Sequence, residues 1–214
     1  MLMKKERNIS MTTPSVSTKN NKVVPYRFFY WGPLLCRMKL QPKDLEECTA
    51  LCNKKSSSVA ETLAGVIKEQ HYVSTHKYAR VLDHYLRSFR QSFNHWYGYP
   101  LTKGVTMIAA WVNFMTAGEF NPPHVHTKCD FSSVLFIQLP KALKEEHQKY
   151  EGTGEGPGGI SFSYGETQPY SLSYRSFFPE EGDLFIFPAP LTHFVAPFMA
   201  QGERISMSAN FKLD

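Results

Sequence analysis

The chain has 214 residues, with 24 Lys and Arg against 19 Asp and Glu for a formal net charge of +5, and an aromatic share of 14 % that includes sixteen Phe and eleven Tyr. So many large rings exclude a linker or a disordered polymer, and the length suits one functional unit with a sizeable interior. The charge excess is too small to argue for nucleic acid, and neither a signal-peptide pattern nor an apolar run approaching eighteen residues is present, so a soluble, intracellular protein with no membrane partner is expected.

Residues 1–22 are polar and poor in large apolar groups, which predicts a flexible tail. From 23 to 102 the pattern predicts a mainly helical support region. It opens with a strand in "VVPYRFFYWGPLLCRMKL", followed by a helix in "QPKDLEECTALCNKK" with Pro42 in its first turn. A second helix is predicted from about Ser57 to Gln70, with Val59, Leu63, Val66 and Ile67 on one face. A third runs from about Thr75 to Trp96, where Tyr78, Val81, Leu82, Tyr85, Leu86, Phe89 and Phe93 form a core-facing stripe. His84 and His95 on this helix are read as surface or packing residues. Cys36, Cys48, Cys52 and Cys129 lack the spacing of a zinc ribbon or redox motif and are read as free thiols, Cys48 and Cys52 as small core positions.

From 103 to 214 the pattern changes to short β-branched or aromatic runs separated by Gly, Pro or charged turns: "VTMIAAWVNFM", "SSVLFIQLP", "GISFSY", "YSLSYRSFF", "GDLFIFPAP", "THFVAPF" and "RISMSANFKL". A helix is admitted only around "KALKEEHQKYEG", and "EGTGEGPGG" is an exposed loop. Many strands with almost no helix between them predict a jelly roll or barrel, not a parallel α/β sheet. The fold class is therefore α+β, with N-terminal helices bracing a β-sandwich.

The chemistry lies in the second half. In "NPPHVHTKCDF", His124 and His126 have the spacing that points two side chains the same way on a strand, and Asp130 follows four residues later. A metal needs a third ligand, for which His193, after the apolar strand "DLFIF", is the candidate. Arg204 and Ser206 follow eleven and thirteen residues further on. An isolated pair of histidines is common in surface loops and a single Arg is ordinary; the ordered set of His pair, distal His and Arg-x-Ser in one β-rich half is the signal.

That set resembles what iron(II) and 2-oxoglutarate dependent oxygenases carry on a double-stranded β-helix (jelly roll). More narrowly, "WVNFMTAGEFNPPHVHTKCDFSSVLFIQLP" together with "FFPEEGDLFIFPAPLTHFVAPFMAQGERISMSANF" is similar to a group of 2-oxoglutarate oxygenases related to prolyl hydroxylases, over about Val105 to Phe211. The group shows a Trp-x-Asn strand, Gly and Asn before a His-x-His, a Pro-Gly strand ending in Phe-Pro, a distal His, and Arg-x-Ser-x-x-x-Asn. This chain departs from it with Ser132 and Ser133 where Ser-Gly is usual and with Leu135 and Phe136 where two Tyr are usual. His126 also stands where most members of the wider superfamily carry Asp.

The resemblance implies a double-stranded β-helix oxygenase core at 103–214, in which His124, His126 and His193 hold iron(II), with Asp130 in reserve as a ligand. Arg204 and Ser206 would bind the far carboxylate of 2-oxoglutarate, with Asn113 and Gln138 completing the polar lining. The implied activity is that of a dioxygenase consuming 2-oxoglutarate and dioxygen, with ascorbate as auxiliary reductant. It would hydroxylate a protein residue of prolyl type or a small molecule and release succinate and carbon dioxide. A carboxylate-free ligand set leaves open a non-catalytic binding module, or a cupin-type metal enzyme that does not use 2-oxoglutarate.

Overall fold

The computed structural model describes residues 32–154, 156–169 and 171–214, so the expected tail at 1–22 and the start of the first strand lie outside the described residues. Residues 32–214 cluster into one compact unit. Its first elements are β1 (Cys36–Lys39), α1 (Pro42–Thr49), a 3₁₀ turn (Ala60–Thr62), β2 (Glu69–Tyr72) and α2 (Thr75–Tyr97). There follow β3 (Val105–Met115), β4 (Asn121–His124), β5 (Phe131–Gln138), α3 (Lys141–Gln148), β6 (Ile160–Ser163) and β7 (Tyr174–Phe177). The chain ends with β8 (Asp183–Pro188), β9 (Thr192–Val195) and β10 (Arg204–Leu213).

Two sheets form, a six-stranded one in the order β1-β8-β5-β10-β3-β2 and a four-stranded one in the order β4-β9-β6-β7. Neighbouring strands in both run antiparallel. This is the mostly antiparallel, jelly-roll-like arrangement that the strand-rich half predicts.

Strand alternation sorts the side chains into layers. On β8, Phe185 and Phe187 face the smaller sheet, where Phe162 meets their rings at 5.8 and 5.0 Å, while Leu184 and Ile186 join the opposite layer. That opposite layer is shared with α2: Tyr78, Leu82 and Phe89 are fully buried there with Val112, Leu135, Met207 and Phe211, and Phe89 meets Phe131 edge-on at 5.0 Å. The α2 stripe is thus core, as its spacing predicts. Ser74 caps the helix by accepting from the Lys77 N–H, and Gly98 ends it in the left-handed region at φ 79°, which only glycine adopts cheaply.

Two expectations are corrected. No helix spans Ser57–Gln70: that stretch contains the 3₁₀ turn, isolated bridges Ser58 to His71 and Val66 to Phe120, and then β2. The apolar spacing there does not describe one face, because Ile67 is buried between the sheets while Val66 is 55 % exposed. Among the described residues of "YSLSYRSFF", only Tyr174–Phe177 is strand. Two strands not read from the sequence are β2 and β4. β4 contains Pro122 and Pro123, and it lies at a sheet edge, where a missing N–H costs no ladder bond. The helix around "KALKEEHQKYEG" is present as α3. The four cysteines are free; burial pushes the Cys48 and Cys52 thiols up to about 12, which leaves them unreactive.

Candidate metal centre

β4 and β9 pair so that His124 lies directly opposite His193, and a register irregularity between Asn121 and His124 accommodates the two prolines. His126 stands beyond the end of β4, not on it. Its backbone N–H donates to the Ala189 carbonyl at 2.9 Å, which brings the imidazole back over the pair. The shared strand face expected for His-x-His is replaced by a different local structure, which still brings the two imidazoles together.

The ligand nitrogens of His124, His126 and His193 lie within 4.8 Å of one another. The Nε2 atoms of His126 and His193 are 3.2 Å apart, a separation that suits adjacent nitrogens on one ion with bonds of about 2.1 Å. His124 donates from Nδ1 to the Pro122 carbonyl at 2.7 Å, and His193 from Nδ1 to the Leu191 carbonyl at 2.9 Å. Each donation fixes the tautomer and leaves the Nε2 lone pair free, the usual support of a metal-binding imidazole. Burial is the main cause that holds all three rings below the ordinary histidine range, His126 at about 4 and His193 at about 3, so they are neutral at neutral pH and each keeps a ring-nitrogen lone pair. The donor set fits a divalent transition metal.

The histidines open onto a cavity of about 300 Å³ whose opposite wall is β10 and β3. Alternation in "RISMSANF" turns Arg204, Ser206, Ser208 and Asn210 toward the cavity and Met207, Ala209 and Phe211 toward the α2 layer. Arg204 is 1 % exposed and lies with its guanidinium 4.7 Å above the Phe136 ring. Among the described residues its Nη1 reaches only the Met115 sulfur at 3.8 Å, and Nε and Nη2 have no hydrogen-bond partner. Those two atoms form one edge of the planar fork, the edge that grips a carboxylate with two parallel bonds. Burial brings the group down to about 9, yet it remains a cation at neutral pH.

Of the residues singled out from the sequence, His124, His126, His193, Arg204, Ser206 and Asn113 come together on this cavity. Asp130 does not join the histidines: its carboxylate accepts from the Leu213 N–H at 2.8 Å, and its backbone bridges Phe211 and Ala189. Gln138 is also elsewhere. It ends β5 exposed at the rim, donating to the Glu203 carbonyl at 3.2 Å, because the register shifts between Ile205 and Ser206 beside it. Sequence reasoning missed Gln70, Trp111 and Ser208, which also line the cavity. The Trp111 ring lies 5.8 Å from that of His126. Trp111 and Ser208 share the cavity-facing parity of Asn113 and Ser206, a readable signal; Gln70 has none, since "EQHY" shows no strand pattern.

The class that these features define is a jelly-roll-like protein with a candidate three-histidine metal site facing a buried guanidinium. Residues 109–210 match the family model described as "Putative 2OG-Fe(II) oxygenase", to which the chain is similar over that stretch. No curated protein matches the chain. Among solved structures it is similar to a prolyl-4-hydroxylase from Pseudomonas putida at 18 % identity, covering 83 % of this chain and 91 % of that one with a TM-score of 0.53. A viral collagen prolyl hydroxylase of Paramecium bursaria Chlorella virus-1, in complex with 2-oxoglutarate, matches at 12 % identity over 83 % and 94 % of the two chains, TM-score 0.51. A Trichoplax adhaerens prolyl hydroxylase in complex with a peptide from a hypoxia-inducible factor degradation domain matches at 11 % identity over 83 % of both, TM-score 0.53. At these identities the likeness is one of fold. Among the described residues no helix is long and apolar enough to cross a membrane.

Proposed function

We propose that the protein is an iron(II) and 2-oxoglutarate dependent dioxygenase that hydroxylates a protein residue of prolyl type or a small molecule. The observation that carries this reading is one cavity with three neutral imidazoles on one wall and, on the other, a buried guanidinium edge that has no partner in the fold. The peptide held by the Trichoplax protein supports the peptide end of that substrate range.

In this reading His124, His126 and His193 hold the iron, and Nδ1 donation from His124 and His193 to backbone carbonyls keeps their Nε2 lone pairs aimed at it. Iron(II), when bound, supplies the activation of dioxygen, and ascorbate serves as the reductant that keeps it ferrous. Arg204 receives the distal carboxylate of 2-oxoglutarate on its Nε–Nη2 edge, and Ser206, two residues along the same strand face, adds a hydroxyl donor. Phe187, Val134, Ile160 and Val195 form the apolar part of the lining and limit water around the reacting centre. One oxygen atom of dioxygen enters a substrate C–H bond and the other enters succinate, with carbon dioxide leaving from the 2-oxoglutarate carboxylate nearer the keto group. No side-chain nucleophile is required. Residues 23–102 act as the support region, with α2 as its brace, and 103–214 as the oxygenase core.

The test is succinate formation by purified protein given iron(II), ascorbate and 2-oxoglutarate, with succinate expected from the wild type and none from His193→Ala. Succinate persisting in that variant would overturn the ligand assignment. The absence of a carboxylate from the histidine cluster favours the second reading, a binding module: it predicts metal and 2-oxoglutarate binding with no succinate under any condition. A cupin-type enzyme predicts metal binding without affinity for 2-oxoglutarate.

A further inference from the structure

Gln70 sits on edge strand β2 directly across from Asn113 on β3, and it is 1 % exposed. Its Nε2 donates to Asn113 Oδ1 at 2.7 Å, while its own Oε1 is buried without a partner. Asn113 in turn donates from Nδ2 toward Ser206 Oγ and Ser208 Oγ, each at 3.4 Å, and toward the Ser206 carbonyl at 3.5 Å. The carbonyl settles which way the amide lies, because it has only lone pairs to offer and must meet N–H. Oδ1 then faces β2 and needs a donor, which Gln70 alone provides there. A folding role does not account for Gln70, since a buried amide left half satisfied costs stability.

We propose that Gln70 is a positioning residue for the anion that Arg204 receives, acting through Asn113 on the hydroxyls of Ser206 and Ser208; this rests on the 2-oxoglutarate reading above. A serine oxygen that accepts N–H from Asn113 keeps its own proton free to donate into the cavity. With the Gln70 donor in place, the free guanidinium edge and the two serine hydroxyls are all available to donate into the cavity. Without it, the Asn113 amide is free to turn over and offer its oxygen to the serines. Their protons then turn toward Asn113 and their lone pairs toward the carboxylate. The chain therefore draws part of its anion site from the segment at 23–102, outside the residues that match the family model.

The test is calorimetric titration of 2-oxoglutarate into the full chain loaded with nickel(II) in place of iron. The wild type is expected to bind. Gln70→Met, close in length and lacking the donor, should raise Kd about tenfold, the loss of one hydrogen bond to the anion site. Its nickel affinity should stay within about twofold, and with iron the KM for 2-oxoglutarate should rise while kcat changes by less than about twofold. In an Asn113→Ala background the same substitution should change Kd by less than about twofold, because Gln70 acts through that amide. If Gln70→Met does not fold, Gln70→Leu carries the same expectations. Unchanged affinity in the single variant overturns the inference, as does an undiminished loss in the Asn113→Ala background. A wild type that binds nickel but not 2-oxoglutarate overturns the oxygenase reading itself, and this inference with it.

Discussion

Arg204→Met separates the stability of the empty fold from the binding of the anion, with opposite signs expected for the two. The guanidinium is 1 % exposed, its one side-chain contact from an N–H is the Met115 sulfur at 3.8 Å, and Nε and Nη2 are unpaired. Burial lowers its pKa from the ordinary arginine range to about 9. That fall corresponds to roughly 5 kcal/mol of cost carried by the folded, ligand-free protein at neutral pH. Water entering the cavity meets the free edge and offsets part of the cost, while Met preserves most of the packing over Phe136. A net stabilisation of about 2 kcal/mol is expected, which for a chain of this size raises Tm by about 4–8 °C.

The pH dependence has a definite sign. The folded-state pKa lies below the unfolded one, so from about 9 up to the ordinary arginine range the unfolded chain holds the extra proton, and this group contributes stability that rises with pH across that window. The difference in Tm between variant and wild type should therefore shrink from pH 7.5 to pH 10. In the proposed reading 2-oxoglutarate pairs the guanidinium, which predicts that it raises Tm in the wild type and leaves Arg204→Met unmoved. Differential scanning calorimetry at both pH values, with and without 2-oxoglutarate, reads all of this. A variant less stable than the wild type at pH 7.5, or one that keeps the ligand-dependent shift, would refute the reasoning.

Asp130→Asn should leave nickel or cobalt affinity within about twofold, because the carboxylate is engaged with the Leu213 N–H; its effect should be limited to about 1 kcal/mol of stability by chemical denaturation. Asp183, 2 % exposed, accepts from Arg37 at 2.7 Å and from the Glu180 N–H at 2.7 Å, so Asp183→Asn should cost about 2 kcal/mol with no change in 2-oxoglutarate affinity. Phe89→Ala removes a fully buried ring between α2 and the larger sheet and should cost about 3–5 kcal/mol in denaturant melts; a loss below about 1 kcal/mol would sink the role of α2 as a brace.

The legible parts of this protein are those where one strand carries both pattern and chemistry. "WVNFM" and "RISMSANF" announce their alternation, and the polar members of each, Asn113, Arg204 and Ser206, fall on one face. The stretch from Ser57 to Gln70 was misread because apolar spacing near 3.6 residues arises there by coincidence, in a segment made of a 3₁₀ turn and isolated bridges. Its packing is decided by tertiary contacts: Glu119 holds the Lys68 N–H at 3.0 Å, and a Cβ on Gly65 would collide with the Asn121 side chain. Gln70 was unreadable for the same reason, since its meaning comes entirely from the strand it pairs with.

Asp130 and His126 show the limit from the other side. Spacing offers His126 as a ligand with Asp130 in reserve, and their different positions follow from bonds that no spacing records: the His126 N–H on the Ala189 carbonyl, and the Asp130 carboxylate on β10. β10 is central to both outcomes. A slip of one residue in its pairing with β3 would send Ile205, Met207 and Ala209 into the cavity and strand Arg204 in the α2 layer. Met207, Ala209 and Phe211, alternates of Arg204 on the same strand, are fully buried in the layer shared with α2, and Ile205 is half-buried beside them. The burial of those residues with Tyr78, Leu82 and Phe89 of α2 belongs to the same register that turns Arg204 toward the cavity opposite the histidines.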